Sequence, residues 1–430
     1  MIWSIFADLV AIALLICAFA STARRNYSPA GNMWLIAWLM IALHFLAALF
    51  TDLPGAWGEL AQILNLVALT WAGVLFQAAV IPHRKERCSR IMMYLMLTAY
   101  TLYLTLLFTS QPKWTLTLAA ALFGIGPLAI ALLALPKCFS RYRWSTITVN
   151  LLLSVFLLTY QNRPGNGPYL AMNAVMVAVF LDCAIKFFFA YRRATAGAFI
   201  TIAGFTVWAS IFALGPALFY YFPGVHVDTE VWNLPKFIVA IGMILLLLED
   251  QIEHNKYLAL HDELTGLPNR RLFQDRLTNA LERARRTSAQ TALLLVDLDH
   301  FKKVNDTMGH HVGDLLLKRV GAICSGRVRR SDTVARTGGD EFSVILEEPT
   351  SRADAEHVSQ SLIHLLKEPL QLDDHTVRIG ASVGIAIYPD DATDMESLCI
   401  AADLRMYENK HQAPVTGTAI PALEPDAPSV

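Results

Sequence analysis

The sequence predicts two fold classes in one chain: an N-terminal all-α transmembrane bundle and a C-terminal α/β (α+β) domain with a ferredoxin-like core. Three observations support this prediction. The chain has 430 residues and is 55% hydrophobic, which is more apolar than one ordinary soluble domain. Long apolar runs dominate the sequence before about residue 250. After that point, charged and apolar residues alternate in the manner of a globular domain.

Nine apolar runs approach the length of roughly 20 residues that a bilayer core requires. They lie near residues 2–20, 33–51, 60–82, 91–110, 114–136, 144–160, 169–190, 196–222 and 233–248. The first run lacks a basic leading region and is followed by "STARRN", so we interpret it as a span and not as a cleavable signal peptide. An eight-span alternative, in which one weak segment re-enters the bilayer, stays open.

Basic residues are concentrated in alternate loops, which predicts the orientation of the spans. The other loops hold only Lys113, Arg163 and Lys236. By the positive-inside rule the basic loops face the cytoplasm. Nine spans then place the N-terminus outside and the chain after Glu249 in the cytoplasm. The basic loops contain Arg24, Arg25, Arg84, Lys85, Arg87, Arg90, Lys137, Arg141, Arg143, Arg192 and Arg193.

A few polar residues interrupt the spans. Asp182 and Lys186 stand one helical turn apart, and ionisable residues in a membrane are costly and often functional. We interpret them as an i,i+4 ion pair in which Lys186 extends to the headgroups, with a functional role as the alternative. Asp8 and His44 give a weaker signal of this kind. Four tryptophans at span ends are interpreted as interfacial anchors: Trp34, Trp114, Trp144 and Trp232.

The composition predicts the division of the chain as follows. Residues 1–248 form the membrane domain, 249–260 a signalling helix, 261–412 the α/β domain, and 413–430 a disordered tail rich in Pro and Ala. Leu245, Leu248, Ile252 and Ala259 approximate an a/d seam. This junction fits two interpretations equally well: a helix that transmits a signal, or a rigid spacer. The net charge of −1 gives no support for nucleic-acid binding.

The C-terminal part has its own sequence of elements. "RLFQDRLTNALERARR" predicts a helix, and "TALLLVDLDHF" a buried strand that is apolar on both faces. "VGDLLLKRVGAICSGRV" predicts a helix, and "DTVART" and "EFSVIL" a hairpin that turns at Gly338-Gly339. A helix, a strand region "HTVRIGASVGIAIYP" and a last helix "ESLCIAADLRMYENK" follow. This order predicts helices on one face of a mainly antiparallel sheet.

The stretch "RTGGDEF" places two acids directly after two glycines at the tip of the hairpin. The central strand is expected to end at Val296, so that Asp297 lies beside Asp340 and Glu341. Carboxylates this close repel one another unless a cation joins them, and oxygen ligands suit Mg²⁺ or Mn²⁺. The glycines leave room for a large flat or phosphorylated ligand. A surface hairpin with solvated acids is the alternative on these grounds alone.

Four spaced motifs resemble one family. They are "DELTGLPNRR" (262–271), "DLDHFKKVNDTMGHHVGD" (297–314), "RRSDTVARTGGDEF" (329–342) and "AADLRMYENK" (401–410). In this order, over about residues 256–411, they closely resemble the GGDEF family, the catalytic domain of diguanylate cyclases. The resemblance implies a nucleotidyl cyclase fold in a bacterial inner-membrane protein. It also implies a homodimer that condenses two GTP into cyclic di-GMP and two pyrophosphates, with two Mg²⁺ (or Mn²⁺) per active site.

The resemblance also implies roles for individual residues. Asp340 is expected to act as the catalytic base with Glu341 in support, and both acids are expected to hold metal with Asp297 and the Leu298 carbonyl. Arg329 and Asp332 form the R-x-x-D pattern of the family's product-inhibition site, where cyclic di-GMP binds. Substrate-binding roles are implied for Lys302, Asn305, His310, Asp314, Gly338, Gly339 and Lys410.

The sequence departs from the family at two places. Lys410 is followed by "HQAPV", with Pro414 where the family usually has an arginine that contacts phosphate, which puts the affinity for GTP in question. Thr337 replaces the usual aromatic residue before the glycines. A non-catalytic receptor for GTP or cyclic di-GMP is the main alternative function. The intact Gly338-Gly339-Asp340-Glu341 favours the enzyme, and a transporter with a regulatory domain has only the spans in its favour.

Overall fold

The computed structural model describes residues 2–26, 29–80, 86–109, 112–129, 142–163, 166–191, 195–222, 229–348 and 351–412. The chain separates into two compact units, Met1–Ile252 and Glu253–Val430, and each is described by itself. The predicted disordered tail lies outside the described residues. So do six of the basic residues that predict orientation: Arg84, Lys85, Lys137, Arg141, Arg192 and Arg193.

The first unit is helical throughout the part of the chain that the structure describes. Each of the nine predicted spans overlaps one helix, although the end of the fifth span lies outside the described residues. The helices are α1 (Ile2–Asn26), α2 (Pro29–Ala48), α3 (Ala56–Val80), α4 (Glu86–Phe108), α5 (Lys113–Ala129), α6 (Tyr142–Tyr160), α7 (Gly167–Ala190), α8 (Ala196–Tyr221) and α9 (Thr229–Leu260).

Among the described residues, five helices are long and apolar enough to cross a membrane. They are Gly31–Ala48, Ala56–Val80, Gly167–Ala190, Ala196–Leu218 and Val231–Leu260, and shorter apolar segments occur in α1, α4, α5 and α6. Their length and composition make these five segments candidates for bilayer spans. Nine spans therefore remain a prediction, because four of the helices contain only shorter apolar segments.

Aromatic side chains form much of the core of the first unit. Trp34 is buried and stacks on Phe187, with ring centroids 5.8 Å apart. The interpretation of Trp34 as an interfacial anchor is therefore wrong, because hydropathy locates a span but not the direction in which each of its side chains points. Trp114 and Trp144 are exposed, as expected of residues at a membrane interface.

Two lysines of the first unit also differ from expectation. Lys186 donates to Asp182 Oδ2 at 2.6 Å, which confirms the ion pair, but it also donates to Gln77 Oε1 at 2.8 Å. Both charged residues are buried, so Lys186 does not extend to the headgroups, because Gln77 on α3 supplies an acceptor inside the bundle. Lys236, assigned to a loop from the sequence, is buried within α9.

The second unit contains the predicted α/β elements and one additional hairpin. The helices are α10 (Arg270–Thr287), α11 (Phe301–Met308), α12 (His310–Arg327), α13 (Arg352–Lys367) and α14 (Met395–Gln412). The strands are β1 (Thr291–Asp299), β2 (Thr333–Arg336), β3 (Glu341–Glu347), β4 (Leu370–Leu372), β5 (His375–Val377) and β6 (Gly380–Tyr388). The predicted single strand region is therefore divided between β5, which pairs with β4, and β6.

The main sheet has the strand order β2-β3-β1-β6, and all of its pairs are antiparallel. With the β4–β5 hairpin set aside, this is the order of a ferredoxin-like core, which confirms the predicted fold class. Strand β1 lies in the centre because its residues are apolar on both faces.

Helices cover both faces of the sheet, so the prediction of helices on one face only is wrong. Leu294 and Val296 pack in a core with residues of α12 and α13. Leu293, which points to the opposite face, packs in a second core with residues of α10 and α14. The physical reason is that a strand with apolar side chains on both faces must bury both of them.

Gly384 on β6 tests the packing of α14 against the sheet. A Cβ at this position would overlap the Ala402 carbonyl oxygen and the Met406 amide nitrogen of α14, and backbone atoms cannot rotate away. We expect Gly384→Ala to lower the free energy of unfolding of residues 253–430 by about 1–3 kcal/mol, measured by chemical denaturation.

The matched control is Gly326→Ala on α12, where a Cβ would meet no atom within 4 Å. Because alanine favours a helix over glycine, this variant is expected to gain up to about 1 kcal/mol. Equal stability of Gly384→Ala and the unchanged domain would contradict the close approach of α14 to β6.

Candidate active site

Three acids lie at adjacent positions of β1 and the β2–β3 hairpin. Asp297 and Glu341 are directly opposite each other in the antiparallel register. The Leu298 amide donates a hydrogen bond to the Asp340 carbonyl oxygen at 3.3 Å. Strand β1 does not end at Val296, as expected from the sequence, but continues through these residues because β6 pairs with it as far as Asp299.

Asp299 is an acid near this group that sequence reasoning missed. It lies two residues after Asp297 on β1, so both side chains point to the same face of the sheet. Ser382 Oγ on β6 donates to Asp299 Oδ1 at 2.7 Å. The period of two along a strand was the signal that could have identified it.

Lys410 of α14 neutralises part of this negative charge. Its ammonium forms an ion pair with Asp297 Oδ2, and the Asp297 side chain is buried. The hydrogen bond to Asp297 raises the pKa of Lys410, and the charges of Asp297, Asp299 and Asp340 act in the same direction, against the opposing effect of burial. The lysine is thus held in its charged form by the acids that surround it.

The ionised form of Glu341 is destabilised by its surroundings. Partial burial raises its pKa, and the negative charges of Asp297, Asp340 and Asp403 raise it further, whereas Arg270 opposes the shift. A carboxylate with such neighbours favours either a proton or a cation.

The donor set fits a divalent metal in chemistry, since it consists of carboxylate and carbonyl oxygens. Among the described residues, however, no three acidic, histidine or cysteine side chains converge as a metal site. The Lys410 ammonium is paired with Asp297 Oδ2, one of the oxygens that would hold a metal. A metal could therefore use Asp297 only after Lys410 has moved.

The two glycines of the hairpin have different surroundings. The amides of Thr337 and Gly338 both donate to the Glu341 carbonyl oxygen, at 3.0 and 3.4 Å. A Cβ at Gly338 would lie 2.5 Å from Glu341 Oε2, whereas one at Gly339 would meet nothing within 4 Å. Gly338 thus makes space for the acid, and Gly339 leaves the tip of the hairpin open.

Arg336 connects this hairpin to the start of the domain. Its guanidinium donates to Asp262 Oδ1 at 3.0 Å and to the Gly339 carbonyl oxygen at 2.7 Å. Burial opposes the ionisation of Asp262, but hydrogen bonds from Thr265 and Arg336 outweigh it and lower its pKa. Sequence reasoning missed this contact because the two residues are 74 positions apart, and no local pattern links them.

Three of the residues implied to bind the substrate lie on α11 and α12. Asn305 is on α11, while His310 and Asp314 are exposed on α12. Asn305 Oδ1 is buried and has no hydrogen-bond partner among the described residues. Gly313 permits this placement, since a Cβ there would overlap Asn305 Oδ1. A buried amide oxygen without a partner is costly, and a ligand that donates a hydrogen bond would remove that cost.

The R-x-x-D pattern forms the turn between α12 and β2. Asp332 Oδ2 accepts from the Arg329 amide at 2.8 Å, and Asp332 Oδ1 accepts from the Glu347 amide at 3.1 Å. Within the described residues the Arg329 guanidinium makes no ion pair, and the residue is exposed. The acid therefore fixes the turn, and the arginine side chain is available to an anion.

The family of the second unit is identified by comparison with known proteins. Residues 259–414 match the family model described as "Diguanylate cyclase, GGDEF domain". The C-terminal part of the chain is therefore a GGDEF domain with diguanylate cyclase homologues. The match covers a little over one third of the chain and begins after the first unit, Met1–Ile252.

Two relatives come from Pseudomonas aeruginosa. The chain is 43% identical over 190 residues to the bifunctional diguanylate cyclase/cyclic di-GMP phosphodiesterase MucR, which covers 41% of this chain and 28% of MucR. It is 41% identical over 167 residues to the diguanylate cyclase TpbB, which covers 39% of this chain and 38% of TpbB. Less than half of either relative is therefore matched.

A solved structure of the GGDEF domain of TpbB from the same organism is also similar. It shares 43% sequence identity, covers 36% of this chain and 90% of that chain, and has a TM-score of 0.35.

The raised pKa of Glu341 leads to a prediction about pH. A carboxyl group whose pKa is higher in the folded than in the unfolded protein destabilises the fold once it ionises. This cost begins near the unfolded value of about 4.3 and is complete above the folded value. In metal-free protein at neutral pH, Glu341→Gln is therefore expected to stabilise residues 253–430, by up to about 1 kcal/mol.

The measurement is thermal unfolding with a chelator between about pH 4 and pH 8, where the advantage of Glu341→Gln should grow with pH. Glu356→Gln on the exposed side of α13 is the control and should follow the unchanged domain. An advantage that is constant over the whole range would contradict the charge repulsion.

Proposed function

We propose that the protein is a membrane-anchored diguanylate cyclase that condenses two GTP into cyclic di-GMP and two pyrophosphates. The observation that carries this proposal is the register of β1 and β3, which sets Asp297 opposite Glu341 beside the intact Gly338-Gly339 turn. These acids belong to the segment that matches the diguanylate cyclase family model. A surface hairpin with solvated acids would not need a buried aspartate that is paired with a lysine from another element.

Asp297, the Leu298 carbonyl, Asp340 and Glu341 would hold Mg²⁺ or Mn²⁺, with two ions per active site. The bound metal would supply charge neutralisation for the attacking oxygen and the pyrophosphate. Asp340 would accept the proton of the 3′-hydroxyl, and Glu341 would support it. The remaining part of the task is positioning, since phosphoryl chemistry depends chiefly on alignment and charge.

Lys410 would change partners when substrate binds. In the structure its ammonium neutralises Asp297, and the hydrogen bond to Asp297 contributes most to the raised pKa of Lys410. Once Asp297 holds a cation, the Lys410 ammonium would lose this partner and would pair with the phosphates of GTP. One lysine thus serves the acids in the free enzyme and the phosphates in the complex.

The other binding residues surround the same edge of the sheet. Asn305 and Asp314 would hydrogen-bond guanine, which offers two donors to the Asp314 carboxylate and one to the partnerless Asn305 oxygen. Lys302 would contact phosphate, and His310 would lie close to the substrate. The open turn at Gly338-Gly339 would admit the nucleotide to the backbone.

The reaction joins two nucleotides, so we propose a homodimer in which each subunit presents one GTP to the other. The membrane unit, residues 1–248, would be a multi-pass sensor or anchor in a bacterial inner membrane, with about nine spans and its N-terminus outside. Residues 249–260 would form the signalling helix and residues 261–412 the cytoplasmic cyclase domain. Product bound at Arg329 and Asp332 would inhibit the enzyme.

Asp340→Asn tests the site and the function together. Loss of a metal ligand and a proton acceptor at one position is expected to lower cyclic di-GMP synthesis at least about a hundredfold. The assay is GTP turnover by the full-length protein in nanodiscs, with the product identified by mass. Asp374→Asn, on the exposed β4–β5 turn, is the control and should turn over GTP normally. Near-normal turnover by folded Asp340→Asn would contradict the assignment, and a lack of turnover by the unchanged protein would favour a receptor.

Arg329→Ala tests the inhibitory site. Arg329 lies in the turn between α12 and β2, whereas the acids of the site lie on β1 and in the β2–β3 hairpin. Its loss should therefore leave the initial rate nearly unchanged. The concentration of cyclic di-GMP needed to inhibit should rise by about 5- to 150-fold, the usual range of coupling between sites. The measurement is a titration of added cyclic di-GMP against the initial rate. Arg330→Ala, also exposed, is the matched control, and identical curves for Arg329→Ala and the unchanged protein would mean that the arginine is only part of the turn.

A further inference from the structure

A chain of hydrogen bonds crosses the interior of the membrane unit and is not used by the cyclase site. We call it the polar relay, and it consists of Asp8 on α1, His44 on α2, Asn65 on α3, and Asn233 and Lys236 on α9. The two charged members are almost completely buried, with 7% of Asp8 and 4% of Lys236 exposed. Such groups are expensive in a membrane and often functional.

Lys236 lies at the centre of the relay. Its ammonium donates to Asn233 Oδ1 at 2.6 Å, and Asn233 Nδ2 donates in turn to Asp8 Oδ2 at 2.6 Å. On the other side the ammonium lies 3.4 Å from His44 Nε2. It also lies 4.3 Å from the ring centroid of Phe45. The cation is thus compensated by one carboxylate through an amide.

The position of the proton on His44 follows from its two neighbours. His44 Nδ1 lies 3.0 Å from the Asn65 carbonyl oxygen, which can only accept, so Nδ1 carries a hydrogen. Nε2 then presents its lone pair to the ammonium of Lys236, which can only donate. The Asn65 side chain holds the same turn, because its Nδ2 donates to the His44 carbonyl oxygen at 3.0 Å.

The hydrogen bonds of the polar relay therefore fit one protonation state, in which His44 is neutral and Lys236 is charged. Among the described residues of α1, α2, α3 and α9, Lys236 is the charged group that acts on His44, and Asp8 in turn acts on Lys236. A second proton on His44 would place two cations 3.4 Å apart in a buried site. Loss of a proton from Lys236 would remove the positive charge that faces the buried Asp8 carboxylate through Asn233. Either change opposes the contact between α2 and α9.

Helix α9 is the element that such a change would move. Asn233 and Lys236 are separated by Pro235, which lies inside the helix and removes one backbone hydrogen bond at that point. Nearer its middle, α9 packs closely on α8, since a Cβ at Gly242 would overlap Thr201 and one at Gly204 would lie 2.8 Å from a Val239 methyl group. The turn of α9 that carries the relay is thus the part that can change direction, and the helix continues to Leu260.

We propose that the polar relay is a proton-binding regulatory site, in which proton uptake between His44 and Lys236 separates α2 from α9 and changes the rate of the cyclase. The inference rests on the proposed cyclase function for its output. In the proposed orientation the relay lies toward the outer side of the membrane, since α9 begins there. The ligand is the proton, and the site reports conditions on the side opposite the cyclase domain.

The test uses the full-length protein in liposomes with GTP added to the bath, so that only molecules with an outward-facing GGDEF domain react. The bath is held at constant pH while the lumen is set between about pH 5 and pH 8, a range in which a buried amine can also exchange a proton. The rate is expected to change at least about fivefold with lumenal pH. A second measurement follows the distance between spin labels at positions 46 on α2 and 231 on α9, both exposed, which is expected to shift by about 1–2 Å.

Two variants and one control test whether the response to lumenal pH arises at the polar relay. His44→Asn retains a donor for the Asn65 carbonyl oxygen but cannot take up a proton, and Lys236→Met removes the neighbouring cation. Both are expected to remove the pH response of the rate and the distance. His254→Asn, at an exposed histidine of the same helix, is expected to keep both responses. Each variant is first compared with the unchanged protein by thermal unfolding. If His44→Asn or Lys236→Met fails to fold, the other variant still tests whether the pH response arises at the polar relay.

The outcomes separate the inference from the proposed function. A rate that is independent of lumenal pH in an active enzyme would overturn the inference, as would a response that survives in both His44→Asn and Lys236→Met. If no variant turns over GTP but the distance still shifts with pH in the unchanged protein alone, the cyclase function fails and the proton site stands.

Discussion

The mutual repulsion of the acids at the ends of β1 and β3 is the constraint on which the candidate site depends. The register of these strands is set by the apolar alternation on both faces of β1, and a slip of one residue would turn Asp297 away from Glu341. The hydrophobic core thus holds together charges that would otherwise separate. Lys410 makes this arrangement tolerable in the absence of metal, because its ammonium pairs with Asp297.

The position of the hairpin depends on a second contact that spans the domain. Arg336 binds the Gly339 carbonyl oxygen at one end and Asp262 at the other, and Asp262 follows the end of α9 by only two residues. The turn that carries Asp340 and Glu341 is therefore anchored to the segment through which the chain enters the domain. A displacement of that segment would alter the spacing of the acids without any change in their identity.

Local patterns predicted the elements and the adjacency of the acids, since hydrophobic period and turn chemistry are properties of neighbouring residues. They did not predict contacts between distant segments, such as Gln77 with Lys186. They also failed where rotation about a helix axis decides the environment, as at Trp34. The prediction of helices on one face of the sheet was wrong, because "TALLLVDLDHF" is apolar on both faces and both faces must be buried. The roles of the individual site residues stay predictions.

Pro414 stands where the resembled family usually has an arginine. The proposed change of partner of Lys410, from Asp297 to phosphate, is therefore more important in this chain. Pro414 lies outside the described residues, but proline has no cationic side chain, so the arginine contact of the resembled family cannot form there. Lys302 and Lys410 would then carry the phosphate charge alone. Because a metal and the Lys410 ammonium would compete for Asp297, phosphate binding by Lys410 and metal binding should be strongly coupled in this chain. On this view Lys410 pairs with Asp297 in the free protein. It would contact phosphate only when metal and nucleotide are bound.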